Sequence, residues 1–178
     1  QHNGLFLHMV SNLINKIGVF GLHFASLDIR QDSSVHGKLY QELAEKTTAL
    51  PPGYLNMSDD EKINALAELG AQETGAVITD PILQDTVQSV NAIRDIQQYN
   101  GVEGCNRYII SQCNSALNAM EVYGLFLLAG WNKEAMNVDI VPLFETIDDL
   151  RHAAGVMKTL YTHPAYKAHL KRRGNQQT

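Results

Sequence analysis

Two cysteines, Cys105 and Cys113, are all the thiol chemistry this sequence of 178 residues holds. They are too few for a disulfide framework and their spacing fits no zinc motif, which leaves free thiols in a reducing compartment as the simple reading. Also missing is any run near the roughly 18 apolar residues of a membrane span. The best stretch, 122–128, is far shorter and follows Glu121. No secretory leader is recognisable. Basic charge is scarce as well: 14 Lys and Arg stand against 19 Asp and Glu, for a net charge of -5. Binding a nucleic-acid backbone needs clustered cations, so no nucleic-acid partner and no membrane are expected. The one basic cluster, 167–173, reads as a solvated last helical turn whose cations suit the helix dipole, in preference to a ligand patch. Nor is there a glycine-rich phosphate loop, a Gly-x-Ser-x-Gly elbow or a His-Glu-x-x-His pair.

What is present is enough apolar material, 44% of residues, for one domain with a real core. Leu5, Phe6, Met9, Val10, Leu13, Ile14 and Ile17 recur at helical spacing with no start signal before them, the pattern of a chain cut from something longer. After Gly18 the spacing predicts a strand over 19–30, then a helix capped by Ser33 or Ser34 and ended by Pro51-Pro52-Gly53. Ser58 with Glu61, and Asp80 before Pro81, announce two more helices, with Gly70 and Gly75 as punctuation between them. A second strand is expected at 106–112, a helix apolar on nearly all sides at 115–129, and a third strand at 138–144. Thr146 with Asp149 caps a helix, and Pro164 begins a short last one. Such alternation predicts a helix-rich α/β fold with about three parallel strands joined by helices, an arc of a larger (β/α) barrel or open sheet. The whole chain, 1–178, reads as one segment of that larger unit.

In a (β/α) barrel the catalytic groups stand at the carboxyl ends of the strands, and all three predicted strands end on polar residues: Arg30-Gln31, Ser111-Gln112 and Glu145-Thr146. A carboxylate such as Glu145 can hold a hard divalent cation, and an arginine such as Arg30 can clamp a phosphate or carboxylate. Each has a plainer reading: Glu145 as a first-turn acid serving its helix dipole, Arg30 as a structural partner of Asp28 or Asp32. Ser111 reads more readily as a cap. His23 reads as a packed strand residue and His36 as an active-site neighbour or a surface helix residue, while His152, His163 and His169 form no metal spacing.

Gly21-Leu22-His23-Phe24 leading into Leu27-Asp28-Ile29-Arg30-Gln31 resembles the strand-and-loop signature of phosphoenolpyruvate carboxylases. Tyr108-Ile109-Ile110-Ser111 is similar to that family's following strand. Val141-Pro142-Leu143-Phe144-Glu145, with Asp149-Leu150 beyond it, resembles its most characteristic motif in this region. The resemblance spans roughly residues 18 to 178 and implies an internal fragment of the catalytic barrel. It implies a cytoplasmic, usually tetrameric lyase that fixes carbon dioxide anaplerotically, turning phosphoenolpyruvate and bicarbonate into oxaloacetate and phosphate with Mg2+ or Mn2+. By motif position Glu145 would be a metal ligand and Arg30 a catalytic and substrate-facing arginine, with Gln31 and Ser111 lining the substrate site. The family's second metal ligand, an aspartate, would follow just beyond Thr178, and its catalytic histidine and glycine-rich loop are also absent, so the piece alone is expected to be inactive. Two rivals stand beside this reading: another metal-dependent barrel enzyme acting on a small keto or enol acid, and a non-catalytic helical scaffold.

Overall fold

A computed structural model describes residues 3–21, 23–72 and 78–178; Leu22 and Gly75, both singled out above, lie outside the described residues. Among the described residues the α-helices and strands follow in the order α1 (Leu7–Phe20), β1 (Leu27–Asp32), α2 (Ser33–Lys46), α3 (Asp59–Glu68), α4 (Pro81–Asn100), β2 (Cys105–Ser111), α5 (Ala116–Leu128), β3 (Asp139–Pro142), α6 (Ile147–Thr162) and α7 (Pro164–Arg172). The strands form one parallel sheet in the order β1-β2-β3. The helix-rich α/β class and the three parallel strands agree with the sequence. The sheet is open, and its three strands do not themselves close a barrel.

The caps explain most of the helix starts. The Ser58–Glu61 and Thr146–Asp149 capping boxes form, and Asp80 accepts from the amides of Ile82 and Leu83 ahead of Pro81. For α2 the cap is Asp32 rather than Ser33 or Ser34, its carboxylate accepting from the Ser34 amide at 2.9 Å. The first strand is the larger correction. Residues 19 and 20 continue α1, Gly21 and Phe24 take positive φ (53° and 63°), and β1 begins only at Leu27. Helical spacing set by the residues before Gly18 runs on through Val19 and Phe20, and one interior glycine weakens a helix by only about 1 kcal/mol. His23 therefore sits in the turn before β1, packed near Gly104, not within a strand. The third strand is also shorter than expected. Leu143 donates to the Ile110 carbonyl, which leaves the nitrogen of Pro142 on the open edge, where its missing proton leaves no ladder bond unmade.

Paired residues of a parallel ladder share a face. Ile29, Tyr108, Ile110 and Ile140 point to the side carrying α2, α4 and α5, and the last three are buried. Asp28, Arg30, Arg107, Ile109, Ser111 and Asp139 point to the opposite face, which is polar and more open. Alternation along the strands therefore separates a core side from a side where polar groups meet. Arg107 lies 3.7 Å from Asp28, and Arg173, which ends the basic cluster just after α7, pairs with Asp139 at 2.7 Å, so that cluster is not wholly solvated. Along the outer edge of β3, Gln177 and the Tyr166 hydroxyl donate to the Ile140 carbonyl, at 2.8 and 3.4 Å, and so cover part of that edge.

α1 buries no residue, with Leu13 58% and Ile17 60% exposed. Stability should then be indifferent to it. The double substitution Leu13→Ala, Ile17→Ala is expected to change the unfolding free energy in urea by no more than about 0.5 kcal/mol, since no buried contact is lost and alanine is the better helix former. A loss of 2 kcal/mol or more on that scale would mean that α1 is packed in solution.

Candidate active site

The ladder registers bring three strand ends to one place: Asp32 stands beside Ser111, and Ile110 beside Pro142. Above them the guanidinium of Arg30, on β1, pairs with the carboxylate of Glu145, just beyond β3. This contact joins residues 115 apart in sequence and passes over β2. Both groups keep access to solvent, with side-chain exposures of 54% and 33%. An exposed pair of this kind adds little stability, typically 1 kcal/mol or less.

The plainer readings of these two residues meet specific counter-observations. Asp28 pairs with Arg107 and Asp32 caps α2, so both proposed structural partners of Arg30 are engaged elsewhere. Glu145 precedes the N-cap Thr146, and the first-turn acids of α6 are Asp148 and Asp149. Asp149 is buried, and its carboxylate accepts from the amides of Thr146 (3.0 Å) and Glu145 (3.2 Å). Those bonds, with the Thr146 hydroxyl, hold the Asp149 carboxyl below its ordinary pKa and fix the backbone from which Glu145 projects.

The other two expected residues differ in placement. Ser111 lies on the Arg30 face and donates to the Gln31 carbonyl at 3.3 Å. Gln31 falls on the helix face by alternation: its carboxamide donates to Thr86 of α4 at 3.0 Å and accepts from the Asp32 amide at 2.9 Å. Its side chain tethers β1 to α4 and is not brought to the Arg30–Glu145 pair. His36 is neither an open neighbour of the site nor a surface residue. It is fully buried, its Nε2 2.9 Å from the Tyr108 hydroxyl, and burial pulls its pKa down to about 4. Arg107, Thr86 and the bond of Asp149 to the Glu145 amide carry no motif in the sequence; strand alternation counted outward from Tyr108 is the one signal that puts Arg107 on the polar face.

Among the described residues no group of three or more His, Cys, Asp or Glu side chains gathers as a metal site. Glu145 offers one open carboxylate, which fits one ligand of a hard divalent cation and no more, since such ions use one or two protein carboxylates and take the rest from substrate and water. Arg30 adds an anion-binding fork beside it. Both cysteines are buried and free, and burial pushes the Cys113 thiol up to about 12, which makes neither a nucleophile. Among the described residues no helix is long and apolar enough to cross a membrane.

Comparison with known proteins bears on what such a pair serves. The family model described as phosphoenolpyruvate carboxylase matches residues 2–178. Among similar curated proteins, the phosphoenolpyruvate carboxylase of Synechocystis sp. is 36% identical over 177 residues, covering 94% of this chain and 17% of that protein. That of Nitrosomonas europaea is 36% identical over 169 residues, 89% of this chain and 18% of that protein. That of Nitrosomonas eutropha is 34% identical and covers 99% of this chain and 20% of that protein. The chain thus spans about a fifth of the length of the relatives it matches. With the family model covering nearly every residue and such relatives matching most of its length, the chain belongs to the phosphoenolpyruvate carboxylase family.

Proposed function

We propose that this chain forms part of the active site of a phosphoenolpyruvate carboxylase, which makes oxaloacetate and phosphate from phosphoenolpyruvate and bicarbonate. The observation that carries this reading is the Arg30–Glu145 pair, held open above the carboxyl ends of three parallel strands in a chain of that family. The polar sheet face fits an arc of a (β/α) barrel whose other strands come from the rest of the protein. The protein as a whole would then be a cytoplasmic homotetramer.

The chemistry accounts for the residue types. A bicarbonate oxygen attacks phosphorus, the bond from phosphorus to the enol oxygen breaks, and carboxyphosphate and the enolate of pyruvate result. Carboxyphosphate releases carbon dioxide and phosphate, and the enolate carbon bonds to the carbon dioxide. Negative charge on the transferring phosphoryl group is what Arg30 would neutralise, its fork leaving Glu145 for phosphate oxygens. Glu145 would hold a divalent cation, Mg2+ or Mn2+, which when bound supplies Lewis-acid neutralisation of phosphate and enolate oxygens. Ser111 would line the floor between them. Gln31 would act at one remove, keeping β1 against α4 so that Arg30 stays in place.

The test is bicarbonate-dependent oxaloacetate formation by the full-length protein carrying this segment. Glu145→Gln and Arg30→Ala are each expected to lower kcat by about 100-fold, the loss typical of removing one group that meets developing charge. Unfolding of both variants should stay close to wild type, because an exposed pair is removed. Wild-type-like turnover in either variant would sink the assignment of that residue. A stability loss without any change in turnover would favour the scaffold reading. The 178-residue chain alone should form no oxaloacetate, since Glu145 is unaccompanied by a second metal-binding carboxylate among the described residues.

A further inference from the structure

At the end of the sheet opposite the Arg30–Glu145 pair lies a pocket of about 390 Å3, among Arg94, Gln97, Val102, Trp131, Asn132 and Ala135. Val102 precedes β2, and residues 131–135 precede β3, which places the pocket at the amino-terminal ends of the strands. Its walls are fixed. Gln97 donates to the carbonyls of Cys105 and Asn137, at 2.8 and 3.0 Å, tying α4 to the segments that lead into β2 and β3. The Arg94 guanidinium lies over the Trp131 ring, 5.2 Å from its centroid, and donates through one Nη2 proton to the Ala129 carbonyl at 2.6 Å.

Among the described residues Arg94 has no carboxylate partner. The ion pairs among the described residues engage Arg30, Lys46, Arg107, Arg151 and Arg173, and none engages Arg94; no residue lining the pocket is acidic. A guanidinium carries five N–H donors, and spending one Nη2 proton leaves one complete two-donor edge, either Nε with Nη2 or Nη1 with Nη2. Such an edge matches a carboxylate in two parallel bonds. Beside it stand the indole of Trp131, Val102 and Ala135, which offer an apolar wall, and Asn132, an exposed amide. A half-buried cation that no anion among the described residues engages, next to an apolar wall, is complementary to a carboxylate with an apolar body.

We propose that this pocket is a binding site for a small carboxylate, held bidentate by Arg94 with its apolar portion against Trp131. The site is remote from the Arg30–Glu145 pair and does not depend on the reaction assigned to it. Trp131 is the single tryptophan of the chain, so its fluorescence reports on the pocket directly. Butyrate, titrated into the 178-residue chain at constant ionic strength, is expected to give a saturable change in Trp131 emission, whereas 1-butanol over the same range gives none. Arg94→Gln should weaken butyrate at least tenfold. Ala135→Glu, at an exposed position that leaves packing alone, should weaken it as much by placing a competing carboxylate at the rim; this variant carries the test if Arg94→Gln fails to fold. No saturable response to butyrate, an equal response to butanol, or unchanged affinity in Ala135→Glu would overturn the proposal. Inorganic phosphate binding as tightly as butyrate would overturn the carboxylate assignment.

Discussion

Replacing Phe126 by alanine is expected to lower the unfolding free energy by about 3–5 kcal/mol, the range found when a fully buried aromatic ring is deleted. The ring is fully buried and meets Tyr108 of β2 and Trp131 edge-on, at centroid distances of 5.9 and 5.2 Å. Those contacts link α5 to the sheet and to the approach to β3, so the void would open where three elements meet. Denaturant unfolding with an unchanged m-value checks it. On the same helix an added methyl should also destabilise. A Cβ at Gly124 would stand 2.5 Å from the Tyr40 hydroxyl and 3.0 Å from a Leu66 methyl. Tyr40 cannot easily swing away, since it is buried and donates to the Glu121 carbonyl at 2.7 Å. Overpacking of about 1–3 kcal/mol set against a helix-propensity gain of about 1 kcal/mol leaves Gly124→Ala destabilised by up to about 2 kcal/mol. An increase in stability would mean that α2 and α3 can retreat from α5.

That α5 packs on every side was legible in its composition. Ala116, Leu117 and the run from Ala119 to Leu128 leave almost no polar face, and all of these residues are buried. Other elements were legible through caps, because a capping box depends on side chains within four residues and needs nothing from the rest of the fold. Strand limits were not legible for the opposite reason. Val19 and Phe20 suit a strand as well as a helix, and α1 keeps them although it buries nothing. The candidate site was half legible. Motif positions named Arg30 and Glu145, but their meeting depends on the β1-β2-β3 order, a long-range property that no local spacing encodes. Gln31 follows Arg30 in the chain and so looked like its companion, yet a strand turns successive side chains to opposite faces.

Acid should weaken this fold from near neutrality downwards, by an amount set by three buried groups. His36 and His169 are buried, and desolvation pulls each from an ordinary 6.5 to about 4. His36 meets the Tyr108 hydroxyl and, at longer range, the charge of Asp32. His169 lies between Tyr123 and Tyr166, with Arg172 and Arg173 opposing its charge and Asp139 favouring it. Because the folded values are depressed, the native state prefers neutral imidazoles. Their stabilisation is complete above pH 6.5 and is lost as pH falls towards 4, by about 3 kcal/mol for each ring at 1.36 kcal/mol per unit. Glu121 runs the other way. Burial, with a smaller push from the Asp59 charge, raises its carboxyl from 4.5 to about 7, against a weak bond from Asn118 and the charge of Lys62. Its folded value is raised, so its contribution is full below pH 4.5 and is lost, about 3 kcal/mol, as pH climbs through 7. Between pH 6.5 and 4 the two imidazoles outweigh the one carboxyl, and a net loss of about 3 kcal/mol is expected. Glu121→Gln separates the contributions. The amide should stabilise the protein at pH 8 by up to about 3 kcal/mol and roughly double the acid loss, because the compensating proton uptake is gone. Urea unfolding of both proteins at pH 4.5, 6.5 and 8 would show it, and parallel curves across that range would mean that Glu121 is hydrated in the folded chain.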